Sequence, residues 1–351
     1  MRRRYYDREF CHDLLPGLER RYRALAESST SREQERAVVQ EFLSNVPSSH
    51  LALYSRDTHE LLMAELFCNA VPSFGCQLKR LGDEFFIDWV FEGGPADRAG
   101  LHRGDRVVEI DGQAPLDSAR LDWRSDDAAL PDPPLHALLC DAGDEVELRV
   151  ERAPGLRSCG RLAAVAYSGC DAARASARVI EDQGRFGYVH LWFIAANEAS
   201  GMIGSLLDNE FAECDGLLLD LRGRGGHASE ISRLTRLLAA QGSWGRPVVL
   251  LTDAGTRSAK EVIAYRMQAS GDALVVGERT AGAVIPATFE RVGDDAVLMF
   301  PSTTLGRTTR LLEGRGVNPD VEVSAPLPFS DGADPILEAG IIALQMWVAP
   351  H

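Results

Sequence analysis

Three short segments of the sequence hold residue types that could carry out chemistry, and each of them follows a predicted strand. The first, Leu217–Gly226, runs from an apolar stretch into a glycine-rich loop. The second, Thr256–Glu261, opens a predicted helix and contains a serine. The third, Gly277–Ala283, again follows a strand. Three motifs at three strand ends are the strongest functional signal in the chain.

Ser258 is the candidate nucleophile. A serine at the start of a helix has free backbone N–H groups beside it and the positive end of the helix dipole nearby. An ordinary N-cap serine has the same pattern, so the residue alone does not decide. Gly225 and Gly226 would let a backbone N–H face a substrate carbonyl, and with the N–H of Ala259 they would form an oxyanion hole. A tight strand-to-helix turn also needs such glycines, and both interpretations can hold together.

The three motifs resemble the C-terminal-processing (tail-specific) and tricorn-type serine peptidases, in the order D-L-R-x-x-G-G, S-A-x-E and V-G-E-x-T-x-G. A later run, Glu313–Asp320, matches the closing G-x-G-V-x-P-D of that family. The resemblance implies a crotonase-like spiral α/β peptidase core. It also implies that Ser258 attacks a peptide carbonyl and forms an acyl-enzyme, with no metal or organic cofactor.

Residues 71–152 resemble a PDZ domain, through the run Gly94–Gly112 and an earlier glycine turn. Phe74, Gly75 and Cys76 resemble the carboxylate-binding loop of that family. A glycine turn can expose backbone N–H groups to a peptide C-terminus, and the peptide then adds as a strand to the sheet edge. The alternative is a β-rich domain whose glycines only make turns.

The general base is not a lysine in the usual place. Bacterial members of the resembled family carry that lysine where this chain has Ala283, and Lys260 should point away from Ser258 because it lies two residues along the same helix. The tricorn-type branch uses a histidine preceded by a serine, which resembles Ser49-His50 here. We therefore predict His50 as the base and Ser49 as the group that orients its imidazole.

Glu313 resembles the distal glutamate of the same branch, which holds the serine; a plain turn acid is the alternative. His50 has its own alternative as a surface histidine at a helix end. His227, His190 and His102 are the competing bases. An unperturbed imidazole base predicts a pH–rate profile that rises near ~6.5.

The predicted fold class is multi-domain α/β. A helical region at 1–70 precedes the PDZ-like β-rich domain at 71–152, and the peptidase core occupies 153–351. Strands alternate with helices from about residue 184, which is typical of an α/β core. Within the PDZ-like domain an Asp- and Pro-rich loop, 113–141, is predicted to contain a helix at Pro134–Cys140.

Composition restricts the partners. With 37 Lys and Arg against 52 Asp and Glu, the net charge is −15, which disfavours binding to a nucleic-acid backbone. No apolar run reaches the ~20 residues that a membrane span needs, and charges stand where a signal peptide needs its apolar stretch. The seven cysteines are scattered without a C-x-x-C pair, so neither a disulfide framework nor a zinc site is expected. These features predict a cytoplasmic protein.

The sequence therefore predicts a cytoplasmic serine endopeptidase with a substrate-recruiting PDZ-like domain. Its partner is a peptide or protein substrate bound by its C-terminus, and a homo-oligomer is left open. The rival hypothesis is a non-catalytic peptide-binding or scaffold protein on a degenerate peptidase core, because Ala283 stands where a lysine is expected.

Overall fold

The computed structural model describes residues 4–124 and 135–349. Within these ranges the strands form a central six-stranded sheet, a seven-stranded sheet, a three-stranded sheet and a two-stranded ribbon. In this described part of the chain, every helix is too short or too polar to cross a lipid bilayer.

The N-terminal region is helical, as predicted, and short polar side chains start its helices. The side chains of Asp7, Ser31 and Ser55 each accept a hydrogen bond from a backbone N–H three residues on. The elements are α1 (Arg8–Asp13), α2 (Leu15–Glu27), α3 (Arg32–Ser44), β1 (Ala52–Ser55) and α4 (Arg56–Leu66). Strand β1 pairs with a strand near residue 299, so this region is built onto the peptidase-like core and is not a separate body.

The β-rich unit follows α4. Its seven-stranded sheet has the order β6-β7-β3-β4-β5-β8-β9 around an apolar cluster that includes Phe74, Ile87 and Leu148. The elements are β2 (Val71–Ser73), β3 (Cys76–Leu81), β4 (Glu84–Val90), α5 (Pro95–Arg98), β5 (Arg106–Ile110), β6 (Leu121–Trp123), β7 (Leu135–Leu138), β8 (Glu145–Ala153), β9 (Leu156–Ala163) and β10 (Val165–Tyr167). The sheet thus runs past the predicted boundary at 152, because β9 pairs with β8 along its length. Strands β2 and β10 pair with each other where the chain enters and leaves the unit.

The helix predicted at Pro134–Cys140 is wrong: the described part of this segment is strand β7, and Pro134 lies outside the described residues. All four residues of β7 are buried, and Ala137 lies opposite Gln77 of β3. A short apolar run cannot be assigned to helix or strand by periodicity alone. Hydrogen bonding to β3 stabilises residues 135–138 as a strand.

The core has the predicted alternation of strands and helices. Its central sheet has the order β11-β12-β13-β14-β15-β18, and the pairs from β12 onward are parallel. The elements are α6 (Gly169–Ser176), β11 (Arg178–Glu181), β12 (Arg185–His190), α7 (Ala199–Asp208), β13 (Gly216–Asp220), α8 (Ile231–Leu238), β14 (Val248–Thr252), α9 (Ala259–Ser270), β15 (Leu274–Gly277), β16 (Ala287–Val292), β17 (Ala296–Pro301), α10 (Arg307–Leu312), β18 (Val321–Glu322) and α11 (Pro335–Val348).

Burial explains the sheet. Every residue of β13 and β14 is buried, as parallel strands covered on both faces must be. Helices α7, α8 and α9 share one apolar cluster with the sheet, whereas α11 packs on the opposite face through Ile336 and Leu344. Because β12 to β15 are parallel, the loops after them lie at the same edge of the sheet, where sites form in such folds.

Two cysteines are paired, contrary to the expectation from their spacing. Cys68, just after α4, and Cys170, in α6, form a disulfide with their Cα atoms 5.6 Å apart. They are separated by 102 residues, so only the fold brings them together. The cytoplasmic location rested partly on unpaired cysteines and stays a prediction.

We expect a buried ion pair between α4 and the β-rich unit to be essential for stability. The carboxylate of Glu65 pairs with the guanidinium of Arg124, and both side chains are 6% exposed. Replacing Glu65 by Gln leaves the Arg124 charge buried without its partner. Such a loss typically costs about 3–5 kcal/mol, which urea-induced unfolding should detect as a lower midpoint.

The control lies on the same helix. Glu60 pairs with Arg56, but both side chains are more than half exposed. Exposed pairs contribute little, so Glu60→Gln should leave the unfolding midpoint almost unchanged. Equal midpoints for the two variants would refute a structural role for the Glu65–Arg124 pair.

Candidate active site

The loop after β13 is fixed by buried polar contacts. Asp220 lies at the end of the strand, and its carboxylate accepts a hydrogen bond from the main-chain N–H of Arg222 at 2.9 Å. The same carboxylate forms an ion pair with the Arg222 guanidinium. The Arg222 cation holds the pKa of the Asp220 carboxyl well below its usual range, despite burial. Further on, the N–H of Gly223 donates to the Asp253 carboxylate at 3.0 Å, which joins this loop to the loop after β14.

Ser258 has a strained backbone. Its φ of 58° and ψ of −124° lie in a region that non-glycine residues rarely adopt. Strain of this kind typically costs about 1–3 kcal/mol and clusters at functional sites. The residue stands directly before α9 and is partly exposed. Its N–H donates to the carbonyl of Ala283 at 2.8 Å.

A buried carboxylate holds the strained serine in place. Glu261 accepts hydrogen bonds from the N–H groups of Ser258, Gly282 and Ala283 at 3.1, 2.7 and 2.8 Å. The hydroxyl of Thr280 also donates to it, at 2.6 Å. Burial raises the pKa of the Glu261 carboxyl, and the hydrogen bonds from Thr280, Ala283 and Gly282 oppose that shift. The loop after β15 is thereby attached to the start of α9.

Of the two glycines predicted for the oxyanion hole, Gly225 packs against Ser258 and Gly226 packs against Ile194. A Cβ at Gly225 would come within 2.7 Å of the Ser258 Cβ, and a Cβ at Gly226 within 2.4 Å of the Ile194 Cβ. The N–H of Ile194 donates to the Gly225 carbonyl at 3.2 Å, which adds a parallel bridge beside the loop. Ala259 is buried next to the serine. The structure thus brings Gly225, Gly226 and Ala259 together around Ser258.

His50 and Ser49 come from the N-terminal region and reach the same place. The Nδ1 of His50 and the Oγ of Ser49 are 2.9 Å apart. Glu313 connects this segment to the core, because it accepts hydrogen bonds from the Ser49 N–H and the Val284 N–H, both at 2.9 Å. The Glu313 carboxylate therefore binds Ser49 through the main-chain N–H of Ser49. His50 itself has a φ of 57°, a second positive value at this site.

The imidazole of His50 is kept neutral. Burial, and to a smaller extent the nearby cations of Arg257 and Arg224, lower its pKa to about 3. An unperturbed imidazole would titrate near ~6.5, so this environment predicts a pH–rate profile without a rise at that pH. Desolvation disfavours the charged imidazolium, so the ring is available as a proton acceptor throughout the neutral range.

Five of the candidate residues border one cavity of about 440 Å³: His50, Gly225, Gly226, Ser258 and Ala259. Arg224, His227 and Arg257 complete its polar side. The rest of the wall is mainly apolar and comes from α4, α8, α9 and the three-stranded sheet: Leu62, Met63, Leu66, Phe67, Phe193, Ala228, Ile231, Val262, Val284, Pro286, Ala287, Phe289, Met299 and Leu305. A cavity of this shape accepts an apolar group next to the serine.

The competing histidines have other contacts. His227 borders the cavity but is exposed, and its ring bonds to the Ser229 hydroxyl at 2.8 Å. His190 is buried against Trp192, with ring centroids 3.8 Å apart, and His102 pairs with Asp331 at 3.0 Å. Among the three, only His227 lies on the same cavity as Ser258.

Sequence reasoning missed several groups that build the site. Arg224 and Arg257 are 3% and 4% exposed and border the cavity, and Glu261 organises the loops. Each lies within a recognised motif, beside a glycine or the serine, so position in the motif was the available signal. In the described ranges no cluster of three or more His, Cys, Asp or Glu side chains could hold a metal ion.

The predicted carboxylate-binding loop is not arranged to receive a peptide strand. The Phe74 side chain is 1% exposed and packs in the core of the β-rich unit. The Gly75 N–H already donates to the Ser73 hydroxyl at 2.9 Å. Cys76 begins β3, which pairs with β4 on one side and with β7 on the other. The chain itself thus occupies this edge through β7, and peptide binding at the loop stays a prediction.

The fold and site define a class: an α/β protein with an inserted PDZ-like unit and a cavity bordered by a strained serine, a buried histidine and a glycine loop. Residues 232–323 match peptidase family S41, and residues 86–121 match the PDZ domain. The chain thus contains one segment that is similar to each of these two families. The predicted resemblance to C-terminal-processing and tricorn-type peptidases is confirmed.

Similar proteins agree with this assignment. The carboxyl-terminal-processing peptidase 3, chloroplastic, of Arabidopsis thaliana is 24% identical over 290 residues, covering 73% of this chain and 52% of that protein. The chain therefore spans about half the length of that curated relative.

Two solved structures have a similar fold. The photosystem II D1 C-terminal processing protease superposes with a TM-score of 0.56 at 20% identity, over 99% of this chain and 95% of that one. The tricorn protease gives 0.53 at 18%, over 99% and 35%. The chain shares its fold with these two structures, which confirms the predicted fold class.

We predict that Gly226 tolerates no side chain. A Cβ there would lie 2.5 Å from the Ile194 nitrogen and 2.6 Å from its Cα, and backbone atoms cannot move aside cheaply. Gly226→Ala should therefore destabilise the protein by about 1–3 kcal/mol. In α7, Gly204 has no atom within 4 Å of its Cβ position, so Gly204→Ala should raise the melting temperature. A higher melting temperature for Gly226→Ala would contradict the close packing.

We also expect weak peptide binding at the β3 edge. Because β7 covers this edge, a peptide with an apolar last residue and a free carboxylate should bind the protein no better than its amidated form. Fluorescence anisotropy with the two labelled peptides measures this directly. Clear preference for the free carboxylate would show that β7 leaves the edge in solution.

Proposed function

We propose that this protein is a serine endopeptidase in which Ser258 is the nucleophile and His50 the general base. One observation carries the proposal: Ser258, His50 and the glycines at 225 and 226 border the same cavity although they come from distant parts of the chain. A nucleophile, a base and oxyanion donors at one site are what acyl transfer requires.

The hydrogen bond between His50 and Ser49 supports the role of the base. When Nδ1–H donates to the Ser49 Oγ, Nε2 carries the lone pair that accepts the Ser258 hydroxyl proton. Ser49 then acts as the orienting third group, and Glu313 fixes the backbone of Ser49. The proton passes to the leaving amine, and water activated by the same histidine hydrolyses the acyl-enzyme.

The lysine alternative lacks support in this structure. Ala283 is fully buried and its main chain binds Ser258 and Glu261, so this position has a structural role. The Nζ of Lys260 donates to two main-chain carbonyls, at 3.1 and 2.8 Å, away from the serine. Both observations favour the histidine.

The substrate class follows from the cavity and from the relatives. A largely apolar wall beside Ser258 favours a peptide or protein substrate with an apolar side chain next to the scissile bond. The names of the relatives concern carboxyl-terminal processing, which fits cleavage near a C-terminus. Recruitment of that C-terminus at the β3 edge of the PDZ-like unit would require β7 to be displaced.

A fluorophosphonate probe tests this proposal because it reacts with an activated serine. We expect the protein to be labelled, Ser258→Ala to abolish labelling, and His50→Ala to reduce its rate by at least about 100-fold. His102→Ala is the matched control, since this histidine lies in the β-rich unit and pairs with Asp331. An unlabelled wild-type protein would favour the non-catalytic scaffold.

The pH dependence tests the base separately. Since the His50 pKa is about 3, its proton is already lost at pH 5, and the labelling rate should not rise between about pH 5 and 6.5. A tenfold rise through about pH 6.5 would indicate an ordinary, solvated histidine and contradict the buried geometry.

A further inference from the structure

Lys260 is a fully buried cation that the proposed mechanism does not use. It lies in the first turn of α9, two residues after Ser258, and is 0% exposed. Its Nζ donates to the carbonyls of Trp192 and Arg222 at 3.1 and 2.8 Å. Burying an ammonium group costs free energy unless hydrogen bonds or an opposite charge compensate for the water that it loses. A methionine would fill similar space without that cost.

The two carbonyls belong to the two backbone segments that converge on the oxyanion glycines. Arg222 begins the loop that leads to Gly225 and Gly226. Trp192 lies two residues before Ile194, whose N–H donates to the Gly225 carbonyl and whose own carbonyl accepts from the His227 N–H. Lys260 thus joins these segments just before the point at which they contact each other beside Ser258.

The hydrogen bonds are of the stronger kind. A charged donor makes a bond roughly twice as strong as a neutral one. Burial lowers the pKa of the Lys260 ammonium to about 7, while Asp253 and Asp220 act in the opposite direction. The cation of Arg222 lowers the Lys260 pKa further, and the ring of His190 lies at the same strand ends, 3.8 Å from the Asp220 carboxylate.

Trp192 also forms the surface on which the β-rich unit packs. Its ring lies 5.2 Å from the Trp89 ring and 5.1 Å from the Phe91 ring, centroid to centroid. The Trp192 indole N–H donates to the Glu92 carboxylate at 2.6 Å. The PDZ-like unit therefore packs on Trp192, and Lys260 links Trp192 to the loop that carries Gly225 and Gly226, because its Nζ donates to the main chain of both segments.

We propose that Lys260 is a positioning residue: its ammonium group holds the 222–226 loop against residues 192–194, so that the glycine N–H groups stay aligned with the substrate carbonyl. Its catalytic consequence rests on the proposed function, whereas its effect on the loop does not. Lys260 does not border the cavity that Ser258 lines, and its Nζ donates to main-chain carbonyls, so its effect on the reaction is indirect.

The first measurement is hydrogen exchange in the full-length protein, which is then quenched and digested so that mass spectrometry of the peptides reports on the 222–226 segment. Lys260→Met removes the donor and keeps the apolar stem, and we expect at least about tenfold faster exchange in this segment. Ile263→Ala is the control, because Ile263 is equally buried in α9 and belongs to the apolar cluster. It should destabilise the protein without a selective effect on the loop.

The second measurement is catalysis on a cleavable peptide. A displaced oxyanion loop should lower kcat by about 100-fold and leave KM unchanged, since the cavity that binds the side chain is intact. In the wild-type protein, kcat should decline above about pH 7 as the ammonium loses its proton, and the decline should be absent in Lys260→Met. Lys260→Gln, which retains amide donors, should be intermediate and replaces Lys260→Met if that variant does not fold.

The outcomes separate the two proposals. Unchanged exchange in the 222–226 segment of Lys260→Met, or the same change in Ile263→Ala, overturns the positioning role. Faster exchange together with a wild-type protein that no probe labels supports the role of Lys260 in the loop and overturns the peptidase proposal. Faster exchange with an unaltered kcat overturns the catalytic consequence of the positioning.

Discussion

The site depends above all on the buried carboxylate of Glu261. This one group accepts hydrogen bonds from the backbone of Ser258, Gly282 and Ala283, so it connects the candidate serine to the loop after β15. Ser258 has a positive φ that its own side chain disfavours, and a strained conformation persists only where its surroundings impose it. A carboxylate buried this deeply is stable because the groups around it donate to it. The folded chain therefore imposes the strained backbone conformation of Ser258 through the hydrogen bonds that Glu261 accepts.

Desolvation also lowers the pKa values of His50 and Lys260, with a different consequence for each. It keeps His50 neutral, which suits a proton acceptor, and it lowers the pKa of Lys260 to about 7. Glu313 contributes differently, because it spans from the Ser49 N–H to the Val284 N–H and ties the N-terminal region to the core. This main-chain bridge holds the segment that carries His50 beside the cavity that Ser258 borders, and β1 secures the same region by pairing with β17.

The β-rich unit is attached to the core at several independent points. The β2–β10 ribbon and the Cys68–Cys170 disulfide close the connection, the Glu65–Arg124 pair joins it to α4, and aromatic rings pack on Trp192. Its β3 edge is covered by β7. The β-rich unit is therefore firmly attached to the core and forms part of the surroundings of the candidate site, whereas a peptide receptor needs an open strand edge.

The sequence alone determined the motifs and their order: Ser258 before α9, the glycine loop after β13, and Ala283 in place of a lysine. These are local features, because strand, glycine turn and helix start follow from neighbouring residues. It also indicated His50 with Ser49, by resemblance. The tertiary structure decided what distant residues do to one another: the low pKa of His50, the pairing of Cys68 with Cys170, and the strand at β7 where a helix was predicted. Burial and long-range pairing arise only when the chain has folded, and no local pattern encodes how much water a side chain loses or which strand edge is filled.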